Sequence, residues 1–245
     1  METYFLSDLH LKSINERNGQ ILLRFLRSLE KKEPGRIFFL GDIFDLWVSG
    51  HNVFKRKYQD LLKVLESLKS KGHKIYFFEG NHDLHIHPYW RDELGAEVYT
   101  DAKIFDIDGL SVRCEHGDLI NLQDKAYLRL RRVLRNPWVE KVGHRVPGEF
   151  WLGLGNLWSP RSRKKSSRYR QTNKSRLVHM IREHAHRAYG ESPFDLIISG
   201  HMHVEDDFEF QINHKNVRSI NLGSWFEEAK VLKIKNQKLE WLSLD

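Results

Sequence analysis

The sequence predicts a layered α/β domain. Short apolar runs alternate with segments of helical spacing, and each run ends abruptly in polar residues rich in Asp and His. Composition supports it too: 245 residues, 40% hydrophobic and 12% aromatic, suffice for one large core with room for an insertion.

Thr3 to Ser7 reads as a short apolar strand, followed at once by Asp8-Leu9-His10. Asp8 and His10 face the same side if the extended geometry persists. Ile21, Leu22, Phe25, Leu26 and Leu29 fall at helical spacing between about residues 18 and 32, and Pro34-Gly35 stops that helix. Ile37-Phe38-Phe39-Leu40 is the next strand. Gly41 lets the chain turn sharply and delivers Asp42 to the rim of the sheet, where ligands gather in open α/β folds. Leu61, Leu62, Val64, Leu65 and Leu68 mark a second helix, closed by Lys71-Gly72. A strand from Lys74 to Phe78 ends in Glu79-Gly80-Asn81-His82-Asp83. Residues 89–108 are less regular and predict one short helix and one connecting strand. Leu110 to Glu115 is a strand ending in His116-Gly117-Asp118.

There the alternation stops. Residues 122–172 are basic and helical, with breaks expected at Pro137, Pro147 and Pro160. They read as a helical cap inserted into a core of residues 1–121 and 173–245. Leu177 to Tyr189 resumes a core helix, and Phe194 to Ser199 is a strand ending in Gly200-His201-Met202-His203. The remainder, 207–244, predicts short strands with a hairpin turn at Asn213-His214-Lys215-Asn216.

The net charge of +7 is uneven. From Asp124 to Arg176 the chain carries 15 Lys/Arg against three acidic residues, a local net of +12 that leaves −5 for the rest. A basic block on a mildly acidic body suits phosphate, a lipid headgroup or nucleic acid, with a solvated positive face as the alternative. A single cysteine, Cys114, rules out an intramolecular disulfide and fits a reducing compartment; it reads as a small buried side chain. The N-terminus lacks the basic flank and cleavage site of a signal peptide, and no run of about 18 apolar residues exists to span a bilayer. A cytoplasmic location is expected.

Five strand ends contribute Asp8, His10, Asp42, Asn81, His82, His116, His201 and His203. Carboxylate, imidazole and amide oxygen are ligands for first-row divalent ions, and a Cys-rich structural zinc site is excluded. One bridging carboxylate explains the arithmetic. Asp8, His10, Asp42 and one terminal His would hold a first ion; Asp42, Asn81, His116 and the other His would hold a second. Two such ions, about 3.5–4 Å apart, suit an in-line displacement at phosphorus.

Taken together, Asp8-Leu9-His10, Gly41-Asp42, Gly80-Asn81-His82-Asp83, His116-Gly117-Asp118 and Gly200-His201-Met202-His203 resemble the full motif set of the calcineurin-like metallophosphoesterases. The resemblance implies a four-layer α/β/β/α sandwich with a dinuclear site, commonly Mn²⁺. It assigns His203 to the first ion and His201 to the second. A narrower resemblance, to the UDP-2,3-diacylglucosamine pyrophosphohydrolases of the lipid A pathway, rests on Gly41-Asp42-Ile43-Phe44-Asp45-Leu46-Trp47, on Asp124 with Tyr127, on Asn136-Pro137-Trp138, and on the basic Ser/Asn tract leading to Asn173-Lys174. It implies an inserted cap and attack at the α-phosphorus of a nucleotide-lipid, giving UMP and 2,3-diacylglucosamine 1-phosphate. It also implies work on the anionic inner face of the cytoplasmic membrane; no obligate protein partner is inferred. Asn81 and His82 would face the substrate. Asp124, Tyr127, Arg129 and Lys174 are further candidate contacts, with ordinary surface positions as the alternative.

Phe150, Trp151, Leu152, Leu154, Leu157 and Trp158 would suit acyl chains. The tract from Arg161 to Arg176, with eight basic residues and no acidic one, would suit a pyrophosphate or an anionic membrane. A helix packed on the domain beside a solvated loop is the alternative. The narrower family carries Arg where this chain has His82. A sugar-phosphate leaving group needs charge neutralisation, which forked Arg suits; an alkoxide leaving group gains more from an acid near neutrality, which His supplies. His82 thus keeps open a rival reading, a phosphodiesterase or nuclease acting on nucleotides or nucleic acid. A non-enzymatic, metal-stabilised membrane-binding scaffold is the third. Asp42 and His82 are the expected catalytic residues. Asp83, Asp118 and Asp45 are read as orienting groups or turn caps, His85 and His87 as loop bystanders with a rim contact to substrate as the alternative, and His179, His184 and His186 as surface residues on a helix.

Overall fold

The computed structural model describes residues 1–244, with side chains described for 1–153 and 173–244. In chain order the first half comprises β1 (Thr3–Leu6), α1 (Arg17–Leu29), β2 (Arg36–Phe39), β3 (Trp47–Val48), α2 (Asn52–Lys57), α3 (Gln59–Ser70), β4 (Lys74–Phe78), β5 (Asp83–Leu84), α4 (His87–Trp90), β6 (Glu97–Tyr99), β7 (Lys103–Ile107) and β8 (Leu110–Cys114). Three helices follow, α5 (Lys125–Leu134), α6 (Pro137–Arg145) and α7 (Gly148–Glu191), and then β9 (Leu196–Ser199), β10 (Glu205–Ile212), β11 (Lys215–Leu222), β12 (Lys230–Lys235) and β13 (Lys238–Ser243).

Two sheets form the centre. One has the order β13-β12-β1-β2-β4-β6 and the other β10-β11-β9-β8-β7. Strand side chains alternate between two cores, as a pleat requires. Tyr4 and Leu6, Ile37 and Phe39, and Ile75 and Phe77 face α1 and α3, meeting Leu22, Leu26, Leu61 and Leu65. The residues between them, Phe5, Phe38, Tyr76 and Phe78, face the second sheet and pack with Val112, Cys114, Leu196 and Ile198. Phe5 stacks on Phe38 at 4.9 Å and Phe38 on Tyr76 at 4.3 Å, so aromatic faces fill the space between the sheets. On the far side Ala185 and Ala188 of α7 cover Ile197, Phe210 and Val217. The layers are therefore α/β/β/α, the expected sandwich.

β1, β2, β4 and β6 run parallel, as do β8, β9 and β11. Their carboxyl ends share one rim of each sheet, and that rim carries the polar motifs. A third, two-stranded ribbon of β3 and β5 braces it, with Trp47 opposite Asp83. Trp47 is fully buried among Phe44, Phe54, Tyr58, Tyr89 and Trp90, and its amide donates to the His82 carbonyl at 2.9 Å. Trp47→Ala is expected to cost about 3–5 kcal/mol of unfolding free energy. Urea denaturation of the two proteins checks this, and a loss under 1 kcal/mol would show that the ribbon does not depend on it.

Several expected elements differ in detail. Residues 52–57 form α2, an extra helix, and residues 89–108 hold two strands, β6 and β7, rather than one. Both are edge elements whose short, mixed sequences lack periodicity. The C-terminal strands are longer than expected, eight residues each in β10 and β11. Asn213 and His214 turn between them with φ of 50° and 63°, the primed geometry of a two-residue hairpin. Pro137 opens α6 and Pro147 caps α7, but non-helical backbone within α7 stands at Asn173. Pro160, Leu154, Leu157, Trp158 and the tract 161–172 lie outside the described side chains. Among the described residues no helix is long and apolar enough to cross a membrane.

Candidate metal centre

Each rim loop is shaped by its own backbone and by the next loop. Asp8 N donates to Gly41 O at 3.1 Å and His10 N to Asp42 O at 3.0 Å, which ties the first two together. Gly200 N donates to His116 O at 2.9 Å across the other sheet. Asp8, His10, Asp42, His201 and His203 all have positive φ, between 47° and 67°. That region is unfavourable for side chains with a Cβ, and such strain persists only where the surroundings over-determine it.

Two groups of ligand atoms centred on Asp42 result, and a third, of His10, Asp45 and His82, lies beside them. Asp8, His10, Asp42 and His203 bring one donor atom each within 4.8 Å of one another, and Asp42, His116 and His201 do the same. In the first, His10 Nε2 lies 3.1 Å from His203 Nε2 and 3.7 Å from Asp42 Oδ2, and Asp8 Oδ1 lies 3.1 Å from His203 Nε2. In the second, His116 Nε2 lies 3.7 Å from Asp42 Oδ1, 3.4 Å from Asn81 Oδ1 and 3.1 Å from His201 Nδ1. Asp42 thus turns one oxygen to each group.

This donor set fits divalent cations. His116 Nδ1 donates to Leu40 O at 2.8 Å, leaving Nε2 as a lone pair that faces two oxygens. Asp8 Oδ1 is buried without a well-directed hydrogen bond. A proton satisfies one such approach; a cation satisfies the whole cluster. Electrostatics agree. Burial, reinforced by neighbouring histidines, pushes His10 down to about 3 and His201 down to about 4, keeping both imidazoles neutral. Burial opposes ionisation of Asp42, but His116, His82 and His10 outweigh it and hold its carboxyl well below the usual range. Likewise His203 and His116 overcome burial and hold Asp8 low.

His82 stands beside the first group, its ring edge-on to His10 at 4.7 Å. Its Nδ1–H donates to Asp45 O at 2.8 Å, which leaves Nε2 free to face a ligand. Although burial lowers it, Asp42 and the Asp45 carbonyl push His82 above its ordinary value. Its amide and that of Asn81 both donate to Asp42 Oδ1, at 3.0 and 2.9 Å.

Asp83 takes a specific part. Its buried carboxylate accepts from Asp42 N at 3.0 Å, Ile43 N at 2.8 Å and Gly80 N at 2.8 Å, locking two motif loops to each other. Burial and the Asp42 charge push it up to about 7, against those amides and His116. Gly80 permits the approach: a Cβ there would lie 2.1 Å from Asp42 Oδ1. Gly80→Ala should displace that carboxylate and lower metal content and turnover together, which metal analysis of the purified variant would show. Normal metal content would mean that the loop has room to move.

A calcineurin-like phosphoesterase family model matches residues 1–205. The chain belongs to that family. It is a metal-dependent phosphoester or pyrophosphate hydrolase. Curated relatives include the UDP-2,3-diacylglucosamine hydrolases of Aliivibrio fischeri (27% identical, covering 95% of this chain and 94% of the relative), Neisseria gonorrhoeae (28%, 95% and 93%) and Coxiella burnetii (29%, 94% and 92%).

The other expected positions in this family member divide. Tyr127 donates its hydroxyl to Asp118 Oδ2 at 3.0 Å and sets its ring 5.7 Å from that of His201. Asp124 caps α5, accepting from Tyr127 N at 2.9 Å. Arg129 and Lys174 are exposed, and among the described residues neither joins the hydrogen bonds of the two ligand groups. Asp118 does more than cap a turn: its carboxylate clamps α5, taking Arg131 Nε at 2.5 Å as well as the Tyr127 hydroxyl, and its charge acts on His116 and His201. His184 is buried rather than on the surface. It bonds Glu115, which also accepts from Arg113 Nε at 2.9 Å, and so steadies the residue before His116.

Two neighbours escaped the sequence reading. Arg131 looks like one more charge on a basic helix, though its spacing of four from Tyr127 puts both on one face. Phe226, 45% exposed, lies parallel to His10 at 5.4 Å and walls the first group; nothing in its local sequence marks it.

Proposed function

We propose that this hydrolase cleaves UDP-2,3-diacylglucosamine to UMP and 2,3-diacylglucosamine 1-phosphate, on the inner face of the cytoplasmic membrane. The observation that carries the lipid reading is where apolar surface is exposed. Of the eight exposed large hydrophobics among the described residues, six lie between 122 and 150: Leu122, Leu130, Val133, Trp138, Val142 and Phe150. They fall on and around α5, which Asp118 clamps beside His201, and α6, which follows it, and the basic block spans the same stretch. A surface with acyl-binding and anion-binding character next to a phosphoesterase centre suits a nucleotide-lipid at a membrane. The named activity of the relatives points the same way.

In this reading residues 122–172 form a cap on a core of 1–121 and 173–245. Trp151 and Leu152 turn inward to the core, leaving Phe150 and the α5–α6 residues for acyl chains. Asp8, His10, Asp42 and His203 would hold one ion, and Asp42, Asn81, His116 and His201 the other, Mn²⁺ being the expected metal. The ions supply Lewis-acid stabilisation at phosphorus and a nucleophile at neutral pH. Around them the chain positions the substrate. His82 presents Nε2 to an equatorial phosphoryl oxygen, the Asn81 side chain faces the same space, and Tyr127 and Arg131 border it from α5.

The test is hydrolysis by purified protein with Mn²⁺, comparing UDP-2,3-diacylglucosamine with bis-p-nitrophenyl phosphate and a cyclic nucleotide. Strong preference for the lipid with release of UMP is expected. Preference for the simple diesters would overturn the substrate and favour a phosphodiesterase, the reading that His82 supports.

A further inference from the structure

Away from the Asp42 centre, a second cluster of ligand-type side chains gathers where the segment after β5 meets α6. His87 Nε2 lies 3.2 Å from Glu140 Oε1, and His144 Nε2 lies 3.6 Å from the same oxygen. His85 Nδ1 lies 3.7 Å from the other oxygen, Glu140 Oε2. One donor atom each from His87, Glu140 and His144 falls within 4.8 Å of the others. Glu140 and His144 stand four apart on α6 and so share a face, and His87 opens α4 opposite them.

We propose that His87, Glu140 and His144 bind a divalent transition-metal ion, Zn²⁺, that fastens α6 to the core. Tetrahedral zinc with bonds of about 2.0–2.1 Å places neighbouring ligand atoms roughly 3.3 Å apart. The two edges that meet at Glu140 Oε1, 3.2 and 3.6 Å, bracket that value. Two imidazoles and a carboxylate form a donor set that zinc accepts, with water in the fourth position.

The surrounding hydrogen bonds have the character of a ligand shell. His144 Nδ1 is paired with the hydroxyl of buried Ser49, which leaves Nε2 as the nitrogen facing Glu140. Metal-binding histidines have their second nitrogen held in this way. His85 Nε2 pairs with Leu134 O at 2.8 Å, and its Nδ1, 3.7 Å from the carboxylate's outer oxygen, borders the group without joining it. A proton on His87 would satisfy a single approach to Glu140 Oε1; an ion satisfies that oxygen and both nitrogens together. The segments joined are far apart in sequence, and His51 Nε2–H already donates to Gly143 O at 2.9 Å beside them. The ion would therefore pin α6, and through it the apolar surface of α5 and α6, in one position over the core.

Zinc counted by mass spectrometry on full-length protein, after equilibration with Zn²⁺ and gel filtration, tests this. Both E140Q and the H87A/H144A double variant should hold one ion fewer per chain than the wild type. D42A, which disrupts the other centre, should keep one. Loading D42A with Co²⁺ should give the strong visible absorption of tetrahedral cobalt, and E140Q in that background should remove it. E140Q conserves shape, so its result stands even where the double variant fails to fold. Equal zinc in wild type and E140Q, or a D42A protein with none, would overturn the site.

Discussion

Replacing Asp42 with alanine is expected to abolish hydrolysis, by at least about 10³-fold, the upper end of what removing one stabilising group costs. Metal content should fall with activity, because Oδ1 faces His116 and Oδ2 faces His10, so one substitution strips a ligand from both groups. The fold should survive. Asp83 still holds the amides of residues 42, 43 and 80. Loss of Oδ1 leaves only the Asn81 and His82 amides to find new acceptors, a cost of about 1–3 kcal/mol each if buried. Removing a carboxylate from beside Asp8 and Asp83 also relieves like-charge repulsion. Metal analysis, turnover and a circular dichroism melt on one preparation check all three statements. Full turnover by the variant would sink the assignment of the site.

The second large effect is at His82. His82→Gln should lower kcat by about 10²–10⁴-fold, the range of a positioned proton-transfer or charge-stabilising group, while metal content stays unchanged. Gln can reproduce neither the charge nor the imidazole that Asp45 O orients. His82→Arg discriminates between the two substrate readings. A guanidinium neutralises phosphoryl charge but does not deliver a proton at neutral pH, so the Arg variant should retain cleavage of the nucleotide-lipid and lose the simple diester. Retention of the diester alone would mean that His82 works as an acid and that the leaving group is an alkoxide.

How much of this could be read from the chain follows from where each interaction lives. Ile37 to Leu40 before Gly41-Asp42 declares a buried strand and its polar end in a single stretch, and the same pattern at β1, β4, β8 and β9 locates the rim. The layers were legible for the same reason: alternate residues of β1, β2 and β4 serve different cores. Contacts made across long separations were not. His184 looks like a surface residue until Glu115, 69 positions away, is found beneath it. Asp118 looks like a turn residue until α5 folds back to place Tyr127 and Arg131 on its carboxylate. His85 and His87 read as loop bystanders because Glu140 reaches them only through tertiary packing.

The centre also sits on a seam. Asp8, His10, Asp42 and Asn81 follow strands of one sheet, while His116, His201 and His203 follow strands of the other. Under the dinuclear reading, each ion draws ligands from both sheets and acts as a rivet between them. Unfolding must then expel the ions, so stability becomes a function of free metal, growing as RT ln(1 + [M]/Kd) and reaching about 2.7 kcal/mol at a hundredfold excess over Kd. The cell's supply of the metal would thereby set how long the folded enzyme persists, as well as how fast it turns over.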